Sequence, residues 1–487
     1  MLTVKILLAA ILLVSAASAA QLGSVDFPNS GDPAAQPAFV TGLLLLHSFE
    51  YEDAREQFQK AEKIDPNFAM AYWGEAMTFN HPLWMEQNQK DAVAALQRLP
   101  PSAPTTQREK DYLAAVRLLY SVGTKADRDR AYAEAMRKVY ETYPQDLDAA
   151  CFYALALMGA CEYERQFPVY MRAAAIVEEV FAKNPNHPGA AHYLIHAYDD
   201  PVHAPLGLRA ARVYATIAGD ASHAQHMPSH IFIALGMWDQ VAASNEASIR
   251  VADERRRRKG LSAQARNYHS LGWLTYAYLQ QGRNEDAAKL ILATEKELSP
   301  PSERTARTMG ALAEMRAYYG VETGLWNALP GTVDEAPLSP YAKASMWFTR
   351  GMAAVSSGQI QQALEAAHAI RQLAGGDAGK NEHAGMQMAP PKDAAPEIMA
   401  LEVEAAAYAM AYRFPEAIAA AAKAAQLDQQ LPFEFGPPSP PKPAHELYGE
   451  VLLKAGKTPE AVKQFQLTLE RFPKRRITLR DLAQASL

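Results

Sequence analysis

The sequence predicts an all-α solenoid, an array of stacked helix pairs. Three observations carry this. About half of the 487 residues are hydrophobic (49%), so the chain can bury a large core, and a repeat array grows to this length without separate cores. Small-residue, aromatic and proline marks return in the same order along the chain. His192 and His196 recur 34 residues later as His226 and His230.

Taken in order, the marks begin with Gly42, Ala54, Phe58, Ala61 and Pro66. Tyr278, Gly282 and Ala287 mark a later unit, and Trp347, Gly351 and Ala363 another. From Glu397 to about Gln430 an alanine-rich second helix returns, with Ala417, Ala421 and Ala424. Gly449, Ala461, Phe465 and Pro473 close the series. Small residues let two antiparallel helices approach closely, and a proline stops the second one. With the 34-residue period, this pattern resembles the tetratricopeptide repeat superfamily over most of residues 35–476. The resemblance implies a right-handed superhelix of about nine helix pairs, with a concave groove that binds a protein or peptide partner. The stretch from His187 to Trp238 is similar to a histidine-rich subset of secreted bacterial members, from which no activity carries over. Stretches near 99–104, 375–396 and 435–443, rich in proline or in glycine and charge, are expected as loops between repeats, on one rim.

Residues 1–20 read as a secretory signal. Lys5 supplies the positive start, Ile6 to Val14 the apolar stretch, and Ala17-Ser18-Ala19-Ala20 the small residues for cleavage. The apolar stretch is short for a bilayer span and no later segment reads as one. The mature chain is expected to be soluble and secreted, into the periplasm in a Gram-negative source. A net charge of −6 and a pI near 6.1 argue against nucleic-acid binding. The basic run Arg255 to Lys259 follows Asp253 and Glu254 and reads as a solvated loop or helix end. Cys151 and Cys161 would lie about 15 Å apart on one helix, beyond the roughly 7 Å a disulfide allows. They read as buried free thiols, with a bridge open only if the helix ends between them.

Seven of the 13 histidines fall between residues 187 and 230. Counted from Pro188, His192 and His196 take positions five and nine of a first helix, and His226 and His230 the same positions of the next. In the superfamily these positions line the groove, while Ala191, Leu194, Ile195 and Tyr198 take the inward set. Side chains four apart on a helix lie about 5–6 Å apart, and facing helices about 8–10 Å. Imidazoles from both helices could therefore meet one ion at about 2.0–2.1 Å. Copper or zinc is the expected metal, with iron also admitted. Asp199 and Asp200 are candidates to ligate or to orient a ligand imidazole, and His203 and His223 are further candidates. Pro228 would kink a helix from within, or, at its first position, leave His226 in the preceding loop. His47 and His81, also 34 residues apart, are candidates for the same surface, as are Trp73, Glu75 and His269. The segment His383 to Met388 mixes imidazole with thioethers, soft ligands that suit Cu(I).

Several chemistries fall away. His192-Tyr193-Leu194-Ile195-His196 lacks the glutamate a zinc protease needs after its first histidine. No phosphate-binding or dinucleotide fingerprint stands in a strand–turn–helix context, and nothing marks Ser229 as a nucleophile. A metal-free scaffold binding a peptide or envelope protein in the groove is the alternative to a metal site.

Overall fold

A computed structural model of the protein describes residues 20–162, 165–329, 333–374, 394–431 and 435–486. The segment with His383, Met386 and Met388, and residues 1–19 of the expected secretory signal, lie outside the described residues.

The chain is an all-α array in which successive helices pack in pairs: Gln36–His47 with Tyr51–Ile64, Leu147–Gly159 with Phe167–Lys183, Pro188–Tyr198 with Ala204–Ile217, Tyr268–Gln280 with Asn284–Glu297, and on to Ala444–Lys454 with Thr458–Arg471. The only sheet among the described residues is a two-stranded ribbon, Asn80–His81 against Glu86–Gln87. Helix starts follow local chemistry. Asn88, Thr106, Thr124, Asp146 and Asn267 each accept a bond from a backbone N–H of the first turn, satisfying donors that the helix itself cannot. No described helix is long and apolar enough to cross a membrane.

Small residues do what their positions suggest. Phe58, fully buried, lies between Gly42 and Gly74, and a Cβ on Gly74 would stand 2.4 Å from the Phe58 ring. Gly449 meets Phe465 the same way, at 2.5 Å. Gly74→Ala is therefore expected to cost about 1–3 kcal/mol through overpacking. Gly310→Ala, whose Cβ would find its nearest neighbour at 3.7 Å, should be neutral or gain about 0.5–1 kcal/mol from helix propensity. Denaturant melts of the two variants check the contrast.

The array curls until its first helix pair and its C-terminal segment both reach the middle. The His223 N–H donates to Glu50 at 2.9 Å. Arg255 and Lys259 close on Asp53. The basic run is thus a helix end, as one reading of the sequence had it, but its Arg255 and Lys259 bridge to the first helix pair rather than standing free in solvent. Near the other end, the fully buried Arg475 donates to Glu446 at 2.7 and 3.0 Å and to the Tyr276 hydroxyl at 2.8 Å. Cys151 and Cys161 are free and buried. The stretch after residue 435 is not a remote rim loop: Phe435 lies 5.2 Å from the His230 ring, and Gly436 (φ 107°) packs where a Cβ would meet the Trp273 ring at 2.5 Å. Only glycine suits both that φ and that approach.

Candidate metal centre

Helix Pro188–Tyr198 opens with Pro188 in its first turn, where the missing N–H costs nothing, and is buried along its whole length. Its i, i+4 spacing sets His192 and His196 on one face, with their Nε2 atoms 3.1 Å apart. A third imidazole arrives from the helix Ser222–His226: His223 Nε2 lies 3.1 Å from His192 Nε2. The other ring nitrogen of His192 lies 2.7 Å from the His47 carbonyl. A carbonyl only accepts, so His192 Nδ1 carries the proton and its Nε2 presents a lone pair to the other two rings.

A second triad is built next to it. Pro228 opens the helix Pro228–Ala234, and Met227 before it keeps helical angles (φ −54°, ψ −37°). His226 therefore ends a short helix rather than lying in a loop, and its Nε2 is 3.0 Å from that of His230. Asn245 fixes the tautomer of His226. Its amide nitrogen donates to the Val241 carbonyl at 2.8 Å, so its oxygen faces His226 Nδ1 at 2.7 Å and must receive the proton. His230 Nδ1 likewise donates to the buried Asp199 carboxylate at 2.5 Å. Both Nε2 atoms then present lone pairs to each other, 3.0 Å apart, with no proton between them. His269, on helix Tyr268–Gln280, completes the group with its ring 4.6 Å from that of His226. Its buried Nε2 has no hydrogen-bond partner. Within each triad one nitrogen of every ring lies within 4.8 Å of the others, a spacing that could hold a metal ion.

A third group, His47, Asp148 and His187, also meets the spacing a metal would need. His47 Nε2 donates to Asp148 at 2.8 Å and its Nδ1 accepts from Tyr193 at 3.0 Å. Both nitrogens of His47 are thus used. Its role is to hold the backbone carbonyl that orients His192. Gly189 makes this packing feasible, since a Cβ there would stand 2.4 Å from His47 Nδ1.

The four histidines expected to meet at one point are thus shared between two triads, each i, i+4 pair with a partner from elsewhere. They do not face an open groove: His192, His196, His226 and His230 are 0–3% exposed, because the curled array closes on them. Asp199 orients His230. Asp200 instead pairs with His203 at the start of the next helix and with Arg165, which itself donates to the His196 carbonyl at 3.3 Å. Trp73 and Glu75, expected on the groove, are buried among the first repeats, Glu75 with Gln59 and Arg98. His81 stacks on Tyr51 at the rim of the cavity described below.

Burial dominates the electrostatics. It pushes the pKa of His192 and His269 down to about 3, and those of His196, His223 and His226 well below the usual imidazole value, with neighbouring imidazoles adding to the effect. The rings are neutral at pH 7, the form that binds metal. Their unfolded-state value is about 6.5, so below that pH the unfolded chain binds more protons than the folded one. Stability of the metal-free protein is therefore full above about pH 6.5 and falls as the pH drops toward 3, by up to about 1.4 kcal/mol per pH unit for each such ring. Melting of metal-depleted protein should show a markedly lower Tm at pH 5 than at pH 7.5.

The triads have aromatic walls and border a cavity. The Phe49 ring lies 4.3 Å from His192 and also stacks on His196 and His223. Phe49 adopts φ 56°, a left-handed backbone that a bulky residue rarely holds and that tends to persist at functional sites. Trp273 packs on His226, His230 and His269. His223, His226 and His269 form part of the wall of a cavity of about 750 Å³, with Glu314, Arg307 and Tyr341 further along it. Sequence reasoning placed His223 and His269 only among the secondary candidates and missed Asn245, Phe49 and Trp273, none of which carries a motif.

Compared with family models and with curated proteins, the sequence matches none. Among solved structures, it is similar to the TPR domain of P58(IPK) at 12% identity, covering 93% of this chain and 97% of that one, with a TM-score of 0.24. The APC/C hetero-tetramer Cut9-Hcn1 matches at 13% identity over 94% and 78%, TM-score 0.36. Yeast Tom70 matches at 10% identity over 93% and 88%, TM-score 0.31. At such scores the architecture rests on the chain's own helix pairing.

Proposed function

We propose that this is an exported metal-binding protein whose two histidine triads each hold a transition-metal ion. One observation carries the reading: His226 and His230 turn bare lone pairs toward each other at 3.0 Å, each locked in that tautomer by a buried acceptor behind it. Two acceptors at that distance repel unless a cation lies between them, and burial disfavours a proton on His226. Nitrogens held from behind in this way are the usual arrangement of metal-binding imidazoles. The orphaned Nε2 of His269 supplies the third donor. Copper and zinc both accept such donors, as does iron. The secretory signal in residues 1–20 supports an exported, periplasmic setting.

Metal analysis of protein purified from the periplasm tests this, beside a variant with His196→Ala and His230→Ala. The intact protein should carry a transition metal that survives gel filtration, and a chelator should lower its Tm. Equal, negligible metal in both proteins after reconstitution would reject the reading.

A second reading, a scaffold that binds a peptide or an envelope protein, is favoured by the cavity, whose wall combines Arg307, Glu314 and aromatic rings. Capture of a partner that Arg307→Glu abolishes and a chelator leaves intact would support it.

A further inference from the structure

Resting on the metal reading of the triads, we propose that the two sites form one dicopper centre that binds dioxygen between its metals, reached through the adjoining cavity. The triads are not independent. His223 belongs to one and His226 to the other, three residues apart on the same short helix. The rings of His223 and His226 lie 6.2 Å apart, and those of His196 and His230, on separate helices, 6.0 Å apart. The triads thus abut at two places. Ions held in both would be near neighbours, as in sites where paired metals share one small ligand.

The donor set selects the metal. All six donors are imidazole nitrogens, and no carboxylate oxygen belongs to either triad. The carboxylates in contact with the triads are Asp199, engaged by His230, and Glu50, which accepts the His223 N–H. Two divalent ions would bring four positive charges against these two carboxylates, an excess that a low-dielectric interior penalises heavily. Two Cu(I) ions bring half that charge and are content with three soft-to-borderline donors, whereas zinc seeks a fourth ligand. Phe49 and Trp273 cover the triads with apolar surface, which suits a neutral diatomic gas better than a charged ligand.

The step balances within the site. Each Cu(I) gives up one electron and becomes Cu(II). Dioxygen accepts both electrons and bridges the metals as peroxide. No proton moves, and release of dioxygen reverses the transfer.

The test uses the full mature chain, loaded anaerobically with Cu(I) and then exposed to air. Two coppers per chain, an intense near-ultraviolet charge-transfer band on oxygenation, and no Cu(II) paramagnetic resonance signal, because the bridged ions couple, are expected. His269→Gln should retain one copper, develop no band, and after chemical oxidation give the full signal of an isolated Cu(II). Two retained coppers with no band, or with the full signal of two separate ions, would overturn the dicopper centre and leave the metal reading intact. Retention of zinc but not copper would do the same. Failure to retain any metal, in protein shown to be folded by circular dichroism, would overturn both.

Discussion

His269→Gln is expected to remove one of two bound metal ions and leave the other in place. His269 supplies the third donor of the second triad through its buried, otherwise unpartnered Nε2, so its loss leaves His226 and His230 as a two-donor site. Changing an outer group that orients a ligand typically costs about 10–100-fold in metal affinity, and removing a ligand itself should cost at least on the order of 100-fold at that triad. The first triad, with His192 held by the His47 carbonyl, should keep its ion. His223→Gln is the mirror experiment and should empty the first triad alone. Asp199→Asn should fall between, weakening the second triad by about 10–100-fold, because it withdraws the carboxylate behind His230 without removing a donor. Competition against a chromophoric chelator reads all three. Equal loss at both sites from either glutamine variant would contradict the assignment.

Arg475→Ala should be the most destabilising single change outside the triads, at about 3–5 kcal/mol. The guanidinium is fully buried, holds Glu446 through both carboxylate oxygens, and lies 2.5 Å from the equally buried Glu322. Lys442 adds a second cation on Glu446 at 2.8 Å. These cations hold the Glu446 carboxyl well below its usual range against burial, which raises it, whereas burial pushes Glu322 up despite Arg475. Truncating the arginine strands Glu322 in the interior and leaves Glu446 to Lys442. Replacing Arg475, Glu446 and Glu322 together by apolar residues of similar size should cost far less, since the penalty comes from the unpaired charge. Urea unfolding of the single and triple variants measures the difference. The segment also bonds helix Tyr268–Gln280, Arg476 N–H donating to Gln280 at 2.9 Å. That helix carries His269 and Trp273, so Arg475→Ala should also weaken metal retention in the second triad.

The fold was open to sequence reading because its signals are local. Gly42, Gly74 and Phe58, or Gly449 and Phe465, interact within one or two helix pairs, so their spacing records the packing directly. The histidine site was readable only as far as a single helix reaches. The spacing of four brought His192 to His196 and His226 to His230, and those pairs stand in the structure. The third member of each triad depends on how the array curls. His223 reaches His192 across the boundary between two repeats, and His269 stands 43 residues after His226 because the intervening helix Trp238–Lys259 runs to 22 residues. A fixed period of 34 therefore points past it. The orienting groups were harder still. The His47 carbonyl is a backbone atom with no sequence signature, and Asn245 and Phe49 acquire their roles only through contacts between helices. The expected open groove failed for a related reason: repeat spacing describes neighbours, whereas the closure made by Glu50 with His223 and Asp53 with Arg255 joins residues more than 170 positions apart.

Anomalous diffraction from crystals of the metal-loaded protein, recorded at the absorption edge of the bound metal, locates the ions without reference to any activity. Two peaks per chain are expected, one bounded by His192, His196 and His223 and the other by His226, His230 and His269. A single peak shared by His192, His196, His226 and His230, or none near these residues in crystals that carry the metal elsewhere, would contradict the paired triads.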